Sequence, residues 1–144
     1  MRTRSAAAGL ATVLATVLAT LAACSGPSAP SDATLSGAAL YARYCLACHQ
    51  ADGSAREGLR PALAGSALVT GPVEPLARWV MYGVRDGGPV PRRYPAVMPA
   101  YAGLSDEALA QILTHVRSYF GNHAPAVRAE DVARVRAAGG AHAG

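Results

Sequence analysis

Apolar residues at 109, 112, 113, 116, 119 and 120 recur every three or four positions through LSDEALAQILTHVRSYFGN, residues 104–122. That is the period of one buried helix face. Ser105 stands where an N-cap belongs, and Leu104 and Leu109 fall at staple positions around it. Asp106 and Glu107 suit the positive end of the helix, and Gly121 is placed to end it. A second helix is predicted over VEPLARWVMYG, residues 73–83, with Pro75 in its first turn. Leu76, Trp79, Val80 and Gly83 share its inner face, and Trp79 reads as core. Gly37, Tyr41 and Cys45 line one face of a third helix. In the tail, Glu130 and Arg134 are spaced as an i,i+4 pair on a short helix, with Val132 and Val135 tucked onto the body. Between these helices, VRDGGPVPRRYPAVMPAY (84–101) holds Gly87, Gly88, Pro89, Pro91, Pro95 and Pro99, and no regular element survives that density of breakers. No alternating strand pattern and no internal repeat stand out. The expected class is all-α.

The N-terminus is a separate matter. MRTRS carries two arginines, and residues 6–23 follow without a charge. That is the n-region and h-region pattern of a secretory signal. The apolar run is also long enough to span a bilayer. LAAC, residues 21–24, resembles the bacterial lipobox, in which cleavage exposes a cysteine that is then lipidated. The readings are therefore a lipoprotein signal with Cys24 as the lipidated residue, a retained anchor, or an ordinary signal cut near Ala23. All three put the rest of the chain outside the cytoplasm. The lipobox reading makes 1–23 the signal and 24–34 a lipidated cysteine and flexible tether, since SGPSAPSDA is small, polar and proline-bearing. A globular part from 35 to 122 and a partly helical extension over 123–144 complete the division. The lipid anchor implies the periplasmic side of a bacterial membrane, either the outer face of the inner membrane or the inner face of the outer one.

Charge excludes one class of partner. Without Arg2 and Arg4 the chain has eleven basic against nine acidic residues, and no basic run. That offers no footprint for nucleic acid. Every basic side chain apart from histidine is an arginine.

Cys45 and Cys48 remain, in YCLACHQ with His49 directly after. A disulfide here would close only a tiny loop and gain little. A thioredoxin-like pair belongs in a βαβ context that is absent. A zinc site would need a second ligand pair, and His115, His123 and His142 are scattered. Cys-x-x-Cys-His does match the attachment sequence of c-type haem. There the two thiols add to two vinyl groups, and the adjacent histidine becomes the proximal iron ligand.

From Leu35 to about Phe120 the chain resembles the class I c-type cytochromes. The resemblance rests on YCLACHQ, on Gly37 and Tyr41 before it, on REGLRPALAGS (56–66), on MPAY (98–101) and on the last long helix. It implies a cytochrome c fold, with three to four helices around one covalently attached haem and a short C-terminal helix besides. It implies that Gly37 and Tyr41 cross the last long helix, facing Val116 and Tyr119. It implies a Pro61 carbonyl that accepts a hydrogen bond from His49, which would fix the tautomer and strengthen donation to iron. It also implies Met98 as second axial ligand, a soft thioether that raises the potential. Met81 is the rival, but it lies on a predicted helix, where a methionine fills core. Arg60 is a candidate partner for a haem propionate or a solvated arginine. Arg92 and Arg93 flank the haem edge or a partner, or are solvated. His115 reads as a partly exposed helix residue.

The implied function is a single-haem electron carrier with haem c on Cys45 and Cys48 and iron on His49 and Met98. It is not an enzyme and needs no small-molecule substrate. Expected partners are redox proteins: a dehydrogenase, a cytochrome complex or a terminal oxidase. Two other readings stay open. One is the cytochrome subunit of an exported dehydrogenase, which the tail favours. The other is a gas- or peroxide-reactive haem, should Met98 not be a firm ligand. A haem-free lipoprotein built on zinc or a disulfide is the third contrast.

Overall fold

The computed structural model describes residues 31–55, 58–84 and 94–139. Cys24, the signal, Arg92, Arg93 and His142 lie outside them. Among the described residues the regular structure is entirely helical. A 3-10 turn at Asp32–Thr34 precedes α1 (Gly37–Tyr44), α2 (Leu46–His49), α3 (Ala67–Thr70), α4 (Val73–Tyr82), α5 (Asp106–Ser118) and α6 (Ala129–Ala137). None of them is long and apolar enough to cross a membrane.

The Ser105 cap forms, and Ser36 provides a second that the sequence reading did not name. Ser36 accepts from the amide of Ala39, and Ser105 from that of Ala108. Each satisfies one of the amides that a helix start leaves bare. The apolar stripe of α5 supplies Leu109, Leu113 and Val116 to the main core, where they meet Tyr41 from α1, Leu76, Val80 and Met81 from α4, and Val132 and Val135 from α6. Met81 is fully buried and Trp79 half-buried. A smaller cluster of Leu40, Ala108 and Ile112 fills the second contact between α1 and α5.

The crossing of α1 and α5 uses Gly37, but its partners differ from those expected. A Cβ on Gly37 would stand 2.3 Å from the Gln111 carbonyl oxygen and 3.0 Å from His115 Cβ. Tyr41 packs on His115 and Phe120, with ring centroids 5.3 and 5.2 Å away. The crossing is thus one turn earlier on α5 than Val116 and Tyr119. Val116 is turned into the main core, and Tyr119 lies beyond the helix, 56% exposed and stacked on His115. The physical cause is where α5 stops. Tyr119 is extended and Phe120 takes φ 57°, so helical geometry ends at Ser118, three residues before Gly121.

α6 packs on both α4 and α5. Its first turn is organised by Asp131, not by the Glu130–Arg134 pair expected. Asp131 accepts from the Arg128 amide at 3.1 Å and pairs with the Arg128 and Arg134 guanidinium groups. The charge at the third helical position reaches the cap, which the one at the second does not. Arg136 holds the other end, bonding Asp106 at 2.9 Å and the carbonyls of Ala102 and Leu104. At the start of the body, Asp32 accepts from Tyr44 at 2.6 Å and pairs with Arg43 at 3.2 Å. Asp32 is therefore tied to α1, although it falls within the stretch read as tether.

Candidate haem site

Cys45 is the hinge between α1 and α2. Its amide closes α1 onto Tyr41, and its carbonyl accepts from the amides of Cys48 and His49 at 3.0 and 2.9 Å. One turn of helix thus gathers both sulfurs and the imidazole. The thiols are half-buried and not joined to each other. Burial pushes the Cys45 thiol up to about 11, with Cys48 adding to it. Directly after His49 the chain turns sharply. Gln50 takes φ 62° and ψ 171°, a region that side chains rarely enter. The Tyr41 hydroxyl donates to the Gln50 carbonyl at 2.6 Å and holds that turn.

Burial lowers the proton affinity of His49 below the usual histidine range. The Pro61 carbonyl opposes this and Arg60 reinforces it. The ring is held neutral, the form in which imidazole binds a metal. Its Nδ1 is the buried side-chain nitrogen without an aligned hydrogen bond among the described residues. The Pro61 carbonyl is the backbone acceptor acting on that ring, at a geometry short of a formed bond.

Met98 lies on the segment 94–101, which has no regular structure, and packs half-buried on the main core. Three braces hold it. Its carbonyl accepts from the Val84 amide at 3.2 Å, and the Tyr101 amide donates to Val80 at 3.0 Å. Gly83 ends α4 at φ 72° and lets this segment lie against it, since a Cβ there would stand 2.6 Å from the Met98 carbonyl oxygen. The third brace crosses the site. The Tyr101 hydroxyl donates to the Tyr44 carbonyl at 2.9 Å, one residue before Cys45. Burial raises the proton affinity of that hydroxyl, and the charges of Cys45 and Cys48 add to the effect. Cys45, Met98 and Tyr101 pack on one buried cluster. The fold therefore ties the Met98 segment, through Tyr101, to the end of the helix that leads into Cys45.

Sequence reasoning passed over Gly83 and Tyr101 as site-building residues. Gly83 gave a faint sign, as a glycine ending a predicted helix ahead of a proline-rich loop. Tyr101 closes the MPAY run, which pointed to Met98 and not to the tyrosine itself. Among the described residues no three His, Cys, Asp or Glu side chains converge as a zinc ion would need. Two free thiols, a neutral imidazole with an unpartnered Nδ1 beside a backbone carbonyl, and a braced thioether suit haem c.

Residues 32–116 match the family model for cytochrome c oxidase, cbb3-type, subunit III. The chain belongs to this family of c-type cytochromes. The cytochrome is 37% identical over 115 residues to the fructose dehydrogenase cytochrome subunit of Gluconobacter japonicus, covering 74% of this chain and 23% of that protein. It is 34% identical over 111 residues to the gluconate 2-dehydrogenase cytochrome c subunit of Pantoea cypripedii, covering 73% of this chain and 25% of that protein. It is 34% identical over 91 residues to cytochrome c-552 of Thermus thermophilus, covering 60% of this chain and 69% of that protein. The cytochrome thus spans about a quarter of the length of the dehydrogenase subunits it matches. Membership of this family implies haem c as the cofactor class.

Proposed function

We propose that Cys45 and Cys48 would hold one haem through thioethers, with His49 and Met98 as the side chains that would bind its iron. The cytochrome passes electrons between exported redox proteins. When bound, the haem supplies a one-electron ferric–ferrous couple, and the His/Met pairing raises its potential. The protein's own part is orientation and exclusion. Burial keeps His49 neutral, and the Pro61 carbonyl selects the tautomer with its proton on Nδ1. Gly83, Val84 and Tyr101 keep the Met98 segment against the core. With His49 and Met98 both bound, the iron would offer no place to a reactant, and docking of partners need only be brief. Cys24, lipidated, would hold the domain on the periplasmic side of a membrane through a two-chain anchor.

The observation that carries this reading is the single turn that gathers Cys45, Cys48 and His49, linked by Tyr101 to the Met98 segment. Its test is the absorption spectrum of the matured protein, oxidised, reduced, and reduced under carbon monoxide. The expected spectrum is low-spin and indifferent to carbon monoxide, and Met98→Ala makes it sensitive. Carbon monoxide binding by the unmutated protein would overturn Met98 as a firm ligand and favour gas or peroxide chemistry.

A second reading places the cytochrome as a subunit of an exported dehydrogenase. It is favoured by the relatives whose names make them cytochrome subunits of fructose, gluconate and alcohol dehydrogenases. Purification from membranes under mild detergent tests it, with a stoichiometric flavin- or quinone-containing subunit expected. A cytochrome that elutes alone at full yield would count against it.

A further inference from the structure

Asn122 is 2% exposed, and its side chain makes three hydrogen bonds. Its Nδ2 donates to the Leu63 carbonyl at 3.0 Å and to the Val116 carbonyl at 2.8 Å. Its Oδ1 accepts from the Gly65 amide at 2.9 Å. One buried amide thus fastens the loop that carries Pro61 to the end of α5. The loop's other fastening is the Gly53 carbonyl, which accepts from the amides of Leu63 and Ala64 at 2.8 and 3.2 Å. Gly53 is in turn pressed on Phe120, which a Cβ there would meet at 2.6 Å. The turn that follows His49 and the segment that ends α5 therefore grip the same loop from two sides, two residues from Pro61.

We propose that Asn122 is a positioning residue for the proximal imidazole. By holding the loop through Leu63 and Gly65, it sets where the Pro61 carbonyl stands relative to His49 Nδ1. The inference rests on His49 being the iron ligand. A firm bond from Nδ1–H to Pro61 makes the imidazole a better donor and favours ferric iron. A slack loop weakens that bond and favours ferrous iron. Asn122 thus acts on the potential without touching the ligand. Its bonds take both amide hydrogens and one of the two acceptor sites on the oxygen.

The discriminating variant is Asn122→Asp in the holoprotein. It keeps an acceptor for the Gly65 amide and removes both donors to the carbonyls. Expected are a reduction potential shifted to the positive side and a His49 Nδ1–H that exchanges with solvent about tenfold or more faster. Val132→Ala, which opens a cavity under α6 away from the loop, serves as the stability control and should move neither. Wild-type potential and exchange in Asn122→Asp, or equal changes in Val132→Ala, would overturn the proposal. Should the variant yield no holoprotein, the wild type decides. There the Gly65 amide and the His49 Nδ1–H should lose protection together as denaturant rises. A freely exchanging Gly65 amide beside a protected Nδ1–H would overturn it equally. The ligation reading fails separately, if the His49 ring protons of the unmutated protein show no haem ring-current shift.

Discussion

Replacing Gly37 by alanine drives a methyl group into the backbone of the opposing helix. The new Cβ would stand 2.3 Å from the Gln111 carbonyl oxygen, 3.0 Å from its carbon and 3.0 Å from His115 Cβ. Ordinary contact begins at 3.4 Å, so α1 and α5 must separate by roughly 1 Å. The obstacle is main chain on both sides, and no flexible side-chain end can swing away. Overpacking of this kind costs about 1–3 kcal/mol. The gain in helix propensity is at most about 1 kcal/mol and is smaller in a first turn, where Gly37 lies. The expected net loss is about 2 kcal/mol, or a fall in Tm of about 8 °C for a body of this size. The assay is thermal unfolding of the ferric holoprotein by far-UV circular dichroism, beside Gly103→Ala. A Cβ on Gly103 meets nothing within 4 Å, and that substitution should leave Tm within about 2 °C. A Gly37→Ala protein that melts at or above the wild-type temperature would refute the close crossing.

Gly83→Ala should act on the site itself. Its Cβ would press on the Met98 carbonyl from a backbone at φ 72°, displacing the Met98 segment, and the reduced protein should then bind carbon monoxide. An unchanged carbon monoxide spectrum would show that the segment is held without that approach. Asp131 should give an acid-dependent term. The Arg128 amide, and then the Arg128 and Arg134 side chains, hold its carboxyl down to about 2 against an ordinary 3.8. A depressed folded value stabilises above the unfolded one and is lost as pH falls through the folded one. The Tm deficit of Asp131→Asn should therefore be full at pH 5–7 and close between about 4 and 2. A deficit that stays constant down to pH 2 would remove Asp131 from that role.

What the sequence made legible was local. The periodicities of α4 and α5 and the Ser105 cap are each written within one or two turns of helix, and each forms, although α5 stops at Ser118, short of Gly121. The short tail helix, with Val132 and Val135 buried, was legible for the same reason. Its charge pairing was not, because Glu130 and Asp131 differ only in which one the backbone turns toward the cap. The crossing partners of Gly37 were misjudged by a turn, because the end of α5 depends on Phe120 adopting a positive φ as its ring packs on Gly53 and Tyr41. Asn122 binds residues 57 and 59 positions away. The buried Arg117 holds the carbonyls of Val69, Gly71 and Pro125 with no carboxylate among these partners. Such pairings leave no periodic trace. They arise when two distant stretches of chain leave bare backbone groups at one place, and a lone asparagine or arginine in the sequence does not say which.

The crossing of α1 and α5 also sets a clock. The helix that ends at Cys45 has its main partner at Gln111 and His115, far along the chain. At a ribosomal rate of about 5–20 residues per second, roughly 4–14 s separate the making of Cys48 from that of the end of α5. Through that interval α1 lacks its main partner, and closing the intervening loop costs entropy that the finished α5 repays. The helix that presents Cys45 is thus completed only by chain that follows it by about seventy residues, which leaves the Cys45–His49 turn open longer than the rest of the body.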